Sequence, residues 1–221
     1  MTLALVSWSG GKDCAYAAYL ARQAGIEPAY LFNMATADGQ YSRSHGQKAD
    51  ILMLQAQAMG LPLVLGYAGD DDYEAQYKLA AGRLFSSGIT EGVFGDIDFN
   101  PHREWVERVC GDIGITPHLP LFGMSQEDVM AGFLAAGFQA VVVAVQADLL
   151  PVEILGWTVD ADFLEYIRSL GLTPCGEAGE YHTLVTDGPL FNKRLEVGET
   201  ARTERYNYHV MEISELQLAG K

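Results

Sequence analysis

The chain has 221 residues, of which 49% are hydrophobic and 19% charged, and a formal net charge of −15 at pH 7. That length suits one large or two small domains with an ample core, and no apolar run approaches the ~20 residues of a membrane span. The acidity argues against broad contact with nucleic acid, whose binding relies on Lys and Arg neutralising phosphates.

Cys14, Cys110 and Cys175 are odd in number, and no Cys-x-x-Cys occurs, so neither a disulfide framework nor a structural zinc site is expected. The start of the chain has no signal-peptide pattern, because Ser9 to Asp13 interrupts its apolar stretch. The cytoplasm is the expected compartment, and a small molecule or a protein the expected substrate.

Leu3 to Val6 reads as a short buried strand, Ser9-Gly10-Gly11 as a tight turn, and Ala15 to Ala24 as an alanine-rich helix stopped by Gly25. Together these form an anion site. The turn's N–H groups can approach a ligand closely, and the helix dipole adds partial positive charge. Ser9 and Lys12 supply a hydroxyl and an ammonium, and Asp13 offers oxygens to magnesium. The common P-loop is excluded, since Val6 and Asp13 stand where it needs a glycine and a Ser or Thr. The stretch resembles instead the PP-loop of the N-type ATP pyrophosphatases, Ser-Gly-Gly-x-Asp-Ser. Cys14, a weaker hydrogen-bond donor, replaces the final serine.

Further along, Ala29 to Met34 is expected as a second strand and Ala35 to Arg43 as a polar loop. Ser44-x-x-Gln47 reads as a capping box that starts a helix ending at Gly60. Leu61 to Gly66 is a third strand. Asp70-Asp71-Asp72 reads as a cap for a helix from Tyr73 to Phe85 rather than as a metal chelate. Glu91 to Asp96 is a fourth strand. Pro101 opens a helix with Trp105, Val106, Val109, Cys110 and Ile113 on one apolar face, and Ile115 to Leu121 is a fifth strand.

This alternation predicts an α/β fold with a doubly wound parallel sheet. The loops after strands one, two and four should then converge on one site beyond the strands' carboxyl ends.

A second, smaller α+β unit is expected over residues 123–221, after a first of 1–122. Ser125-x-x-Asp128 caps a helix to Ala136, Ala140 to Val145 is an apolar strand, and Asp160 caps a helix through Leu170. Asp187-Gly188-Pro189 is a turn, and Leu195 to Val197 and Tyr206 to Ile213 read as antiparallel strands. The segment Cys175-Gly176-Glu177-Ala178-Gly179-Glu180-Tyr181-His182-Thr183 gathers two carboxylates, an imidazole and a hydroxyl in a glycine-bearing loop. Such groups suit proton transfer or cation binding, although a solvated polar loop would look similar.

Taken with Ser44-His45-Gly46, Leu54-Gln55-Ala56, Gly95-Asp96, Pro120-Leu121-Phe122-Gly123 and Ala136-Gly137-Phe138, these motifs resemble the diphthine–ammonia ligase family over nearly the whole chain. The variants Gly-Glu-Tyr-His-Thr and Gly95-Asp96-Ile97-Asp98 look like its bacterial branch, and Ala178 stands where Asn or Gly is usual.

The resemblance implies a Rossmann-like PP-loop ATPase domain that uses ATP and magnesium to turn a carboxylate into an acyl-adenylate, from which ammonia displaces AMP. It places ATP near Ser7, Ser9, Gly10, Gly11, Lys12, Asp13, Cys14, Asn33, Met34, His45, Gly95 and Asp96, with magnesium on Asp13. It places the acceptor near Gly176, Glu177, Gly179, Glu180, His182 and Thr183. Lys12, Glu177 and Glu180 become the candidate catalytic residues.

His102, His118 and His209 carry no motif, and Trp8 reads as packing. The carboxylate acceptor, a protein side chain or a small molecule, is open, and a homodimer is a natural assembly. Other readings of the same fold are tRNA thiolation, nucleotide hydrolysis without an acceptor, and a non-catalytic nucleotide-binding module.

Overall fold

The computed structural model describes residues 2–221. Strand and helix alternate through the first half: β1 (Thr2–Ser7), α1 (Lys12–Gln23), β2 (Ile26–Thr36), α2 (Ala49–Met59), β3 (Leu63–Ala68), α3 (Tyr73–Ser86), β4 (Glu91–Val93), α4 (Asn100–Ile113) and β5 (Thr116–His118). The five strands pair in parallel in the order β3-β2-β1-β4-β5.

Side chains alternate across a strand, and β1 shows the consequence. Ala4 and Val6 enter the core beneath α1 and α2, whereas Leu5 enters the opposite core beneath α3 and α4. The chain first winds outward from β1 to β3 and then crosses to β4, so a crevice opens between β1 and β4 at their carboxyl ends.

The second half contains α5 (Gln126–Ala135), β6 (Gln139–Gln146), a 3-10 turn (Val152–Ile154), α6 (Ala161–Ser169), β7 (Tyr181–Asp187), β8 (Arg194–Val197), β9 (Thr200–Arg205), β10 (Tyr208–Ile213) and β11 (Leu216–Ala219). Four of its strands form an antiparallel sheet ordered β7-β6-β10-β9, and β8 pairs with β11. The caps read from the sequence form here. Ser125 Oγ accepts from Asp128 N at 3.1 Å, and Asp160 Oδ1 from Phe163 N at 3.0 Å.

Three expectations need correction. The capping box at Ser44 does not form, because the Ser44 hydroxyl bonds Ser42 Oγ, itself held by Asn33 Nδ2. Residues 40–49 close instead as a small antiparallel turn, and α2 begins at Ala49. β4 stops at Val93 rather than Asp96. Phe94 N still donates to His118 O, but Gly95 then leaves the sheet to meet the start of α1. In the second half, β9 and β11 lie outside the expected elements, and so does β7, which takes Tyr181, His182 and Thr183 out of the expected glycine-bearing loop and into a strand. β9 is exposed on both faces and therefore lacks apolar alternation.

One core runs through both halves. It joins Ala15 of α1 and Leu52 of α2 to Phe133 of α5, Val142 of β6 and Leu184 of β7. A polar staple crosses the same seam. The Gln55 side chain, fully buried on α2, donates from Nε2 to the carbonyls of Gly10 (2.9 Å) and Val185 (2.8 Å), and its Oε1 accepts from Trp8 Nε1 (2.9 Å). Val185 N donates to the same Gly10 carbonyl at 2.9 Å.

Gln55→Leu keeps the volume but strips the Trp8 indole and the Val185 carbonyl of this partner. At about 1–3 kcal/mol for each of these two unsatisfied buried groups, the expected loss is roughly 2–6 kcal/mol. Urea unfolding measures it. A midpoint unchanged from the parent protein would show that water takes the place of the amide.

Candidate nucleotide and acceptor site

Three segments build the site: the turn between β1 and α1, the β4–α4 loop, and the loop before β7. Gly10 adopts φ +85°, and a Cβ there would stand 2.7 Å from Gln55 Oε1, so only glycine fits. At Gly95 a Cβ would come within 2.8 Å of Cys14 N, which lets the β4–α4 loop lie against the α1 N-terminus.

Lys12 opens α1 and is 3% exposed. Its Nζ donates to Asp13 Oδ2 at 2.9 Å and to the Cys175 carbonyl. Its backbone N–H donates to Thr183 Oγ1 at 3.1 Å, so β7 supplies the first oxygen seen by this helix end. Cys14 turns back into its own loop, where Sγ donates to the Gly11 carbonyl at 3.1 Å and accepts from Ser9 Oγ at 3.4 Å.

Above these groups lies a cavity of about 700 Å³. Of the candidate residues, Ser7, Ser9, Lys12, Asp13, Cys14, Asn33, Met34, His45, Gly95, Asp96, Gly176, Glu177, Gly179, His182 and Thr183 line it. Gly10 and Gly11 sit behind, covered by Gln55 and His45 respectively.

Glu180 does not reach the cavity. It is buried, with Oε1 accepting from Thr173 N at 2.9 Å and Oε2 from Ala178 N at 3.0 Å, so it fastens the loop from below. Glu177, two residues past the buried Cys175, points into the open space instead.

His45 lies in the turn before α2 rather than on a helix start. Its ring stacks on His182 at 4.5 Å, and His182 stacks in turn on Tyr208 at 5.6 Å. This three-ring column connects Gly11 to β10. His102, which carries no motif, borders the cavity from an exposed position, with Nδ1 3.4 Å from Asp96 Oδ1.

The opposite wall was not visible in the sequence. Tyr73 and Tyr77 of α3 and Trp105 of α4 form it, with Arg43 over the Tyr73 ring at 5.8 Å. Helical spacing does place Tyr73 and Tyr77 on one face (i, i+4), but such a pair reads equally as core.

Electrostatics follow from this crowding. Burial opposes charge on Lys12, yet the charge and hydrogen bond of the adjoining Asp13, with Tyr181 and Cys175 adding to them, together more than offset it and keep the ammonium protonated. The Glu177 carboxyl is pushed up to about 7, chiefly by desolvation and then by the charge on Asp13, with Asp98 and Asp96 adding and Lys12 opposing. Asp96 is raised, again by burial first. Burial and the nearby Lys12 charge lower His182 to about 4, and burial, His182 and Lys12 hold His45 well below its ordinary value. Burial also pushes the Cys175 thiol up to about 12.

No group of three or more His, Cys, Asp or Glu side chains is placed to hold a metal ion among the described residues. Asp13 does carry a buried oxygen, Oδ1, without a hydrogen-bond partner.

Comparison with known proteins adds the family. The diphthamide synthase N-terminal domain matches residues 2–117 and the diphthamide synthase C-terminal domain residues 125–218. Proteins named diphthine–ammonia ligase from Homo sapiens and Bos taurus are each 30% identical over 218 residues, covering 86% of this chain and 80% of theirs. The one from Schizosaccharomyces pombe is 30% identical over 212 residues, covering 85% of this chain and 34% of its own. A solved chain titled as a subunit of tRNA methyltransferase from Methanocaldococcus jannaschii aligns with a TM-score of 0.46 and 14% identity, over 84% of this chain and 96% of its own. At that distance it has no bearing on function.

The imidazole pair predicts an acid-sensitive fold. Folding depresses His182 from 6.5 to about 4, and His45 moves the same way. Between those values the unfolded chain binds more protons than the folded one, so stability is full above about pH 6.5 and falls as pH drops toward 4. Melting temperatures over that range should fall less steeply for His182→Gln. Parallel curves would show that the ring protonates in place.

Proposed function

The chain belongs to the diphthamide synthase family, and on that premise we propose that it is an ATP-dependent amide ligase in which Lys12 serves the phosphates and Glu177 the nucleophile. The observation that carries this reading is that Lys12 and Glu177 face one cavity from the two halves of the chain. A carboxylate cannot expel oxide, so amide formation needs a leaving group. Attack of the acceptor carboxylate on the α-phosphorus of ATP forms an acyl-adenylate and breaks the α–β bond, releasing pyrophosphate. Ammonia then adds to the acyl carbon, the C–O bond to AMP breaks, and the nitrogen gives up a proton.

Lys12 stands where charge builds on the departing pyrophosphate. A charge-assisted hydrogen bond contributes about 1.5–3 kcal/mol there, because it strengthens as the bond breaks. Glu177 receives the nitrogen's proton. A carboxylate titrating near 7 is matched to that task at neutral pH, being half available as base yet basic enough to act. Glu180 acts at one remove, by holding the loop on which Glu177 stands.

Magnesium fits the residues present. Asp13 Oδ1 is buried and unpaired, and Asp96 lies close enough for the two carboxylates to repel. This ion uses one or two carboxylates together with substrate phosphates, so a three-ligand protein cage is not required. Bound there, it would neutralise phosphate charge.

Sulfur transfer is the weaker reading. Burial raises all three thiols, so a thiolate near neutral pH has no support. The cysteines are free and no described helix is long and apolar enough to cross a membrane, which is compatible with a reducing, cytoplasmic setting. The acceptor is a carboxylate on a small molecule or a protein.

The test incubates the protein with magnesium, α-labelled ATP, ammonium and a cell extract as acceptor source. AMP rather than ADP should accumulate, and only with extract. Lys12→Met should slow it about 10- to 100-fold. Labelled ADP, or turnover indifferent to Lys12, would overturn the adenylation chemistry.

In the same assay the acid limb of kcat/KM should show an apparent pKa of about 7 that disappears in Glu177→Gln. Activity should rise with pH through that value, since the base works deprotonated. An unchanged limb in the variant would assign it to another group.

A further inference from the structure

Gln126 is the first residue of α5, just past the Ser125 cap, at the point where the two halves of the chain meet. Its side-chain amide has both ends in use. Oε1 accepts from Cys175 N at 3.0 Å, and Nε2 donates to Asp98 Oδ2 at 2.8 Å. The Gln126 backbone carbonyl also accepts from Cys175 Sγ at 3.3 Å. Cys175 is therefore held at its nitrogen and its sulfur, and its own carbonyl is the oxygen that receives Lys12 Nζ. A neighbouring bond, Gly123 N to Ile97 O at 2.9 Å, draws in the same β4–α4 loop.

We propose that Gln126 is a positioning residue that ties the Asp98 loop to the Cys175 loop and so sets where Lys12 and Glu177 stand in the cavity. The contacts run without a break from Asp98 through Gln126 to the Cys175 backbone and Lys12. An amide suits this place because it must donate to a carboxylate at one end and accept from an N–H at the other. A glutamate would oppose the Asp98 carboxylate with a second negative charge, and a leucine would release both loops. Among the described residues, this is the one side-chain hydrogen bond that Asp98 makes. The charges that bear on Glu177 are those of Asp13, Lys12, Asp98 and Asp96, so a change in how Asp98 is held is readable at Glu177.

The proposal leans on the ligase reading only for its second probe. The first needs no nucleotide: carbon-13 NMR titration of the Glu177 carboxyl in the ligand-free protein. In Gln126→Leu, the exposed Asp98 loses its tether to the Cys175 loop, and the Glu177 midpoint should move down from the parent's. In Gln126→Glu, the added carboxylate should move it up. These opposite displacements are not expected of a residue that merely stabilises α5, and either variant alone gives a direction if the other fails to fold. Glu177 titrating at the parent midpoint in the folded variants would overturn the proposal.

The second probe is calorimetric binding of magnesium and α,β-methylene ATP. Gln126→Leu should weaken it roughly tenfold, the equivalent of one hydrogen bond. Unweakened binding beside a displaced titration would overturn the part that concerns Lys12. A parent protein that does not bind the analogue would sink the nucleotide reading while the titration still decides the role of Gln126.

Discussion

The Gly10 carbonyl is the point on which the rest of the structure depends. A turn that presents its N–H groups to an anion must face its carbonyls the other way, into the protein, where each needs a donor. Gly10 O receives two, from Gln55 Nε2 on α2 and from Val185 N on β7. The turn is thus held from behind by α2 of the first half and β7 of the second. These bonds cross the same seam as the apolar core that the two halves share. A loop floating on its own helix would have to be ordered by its ligand, at an entropic cost to binding.

The same contact places groups of opposite purpose side by side. β7 runs antiparallel to β6 and brings Thr183 to the first N–H of α1, while the loop before β7 brings Cys175 O to Lys12 and Glu177 to the open space. Lys12 and Arg43 are the lysine and arginine of the cavity wall, and Arg43 is already paired with Asp70. Asp13, Asp96 and Glu177 face Lys12 with more negative charge than it can balance. Both Asp96 and Glu177 stand above the ordinary carboxylate range there, through burial first and neighbouring negative charge after it. The near-neutral titration of Glu177 comes first from desolvation and then from the charge on Asp13, with Asp98 and Asp96 adding to it.

How much of this was legible in the sequence depends on the range of the interactions involved. The β1–turn–α1 unit could be read directly, because apolar run, glycine pair and helix former are all local and all agree. The caps at Ser125 and Asp160 were equally local and formed. Ser44 carried the same signature and failed, since its hydroxyl bonds Ser42 Oγ two residues back, which Asn33 at the end of β2 holds in place. Glu177 and Glu180 are the same residue type three positions apart in one motif. Only loop closure sends one outward and folds the other under Thr173 and Ala178. Gln55 stood in a recognised motif without a visible task, because its partners lie 45 and 130 residues away in the chain. Gln126 gave no signal, sitting inside an ordinary helix start.

Many of the contacts that escaped the sequence are made to backbone rather than to another side chain. Gln55 bonds two carbonyls, Glu180 two amides, Thr183 one amide, and Gln126 an amide on one side of its junction. Backbone groups are the same at every position, so no pairing of residue types reveals such a contact in advance. The chemistry-bearing side chains are legible because type limits what they can do. The shell that aims them is built from neutral amides, a hydroxyl and one buried carboxylate whose tasks are set by where the chain returns. A site of this construction tolerates exchange at its solvent face more readily than at the staples beneath it, since a lost staple leaves buried polar groups unpaired and moves two loops at once.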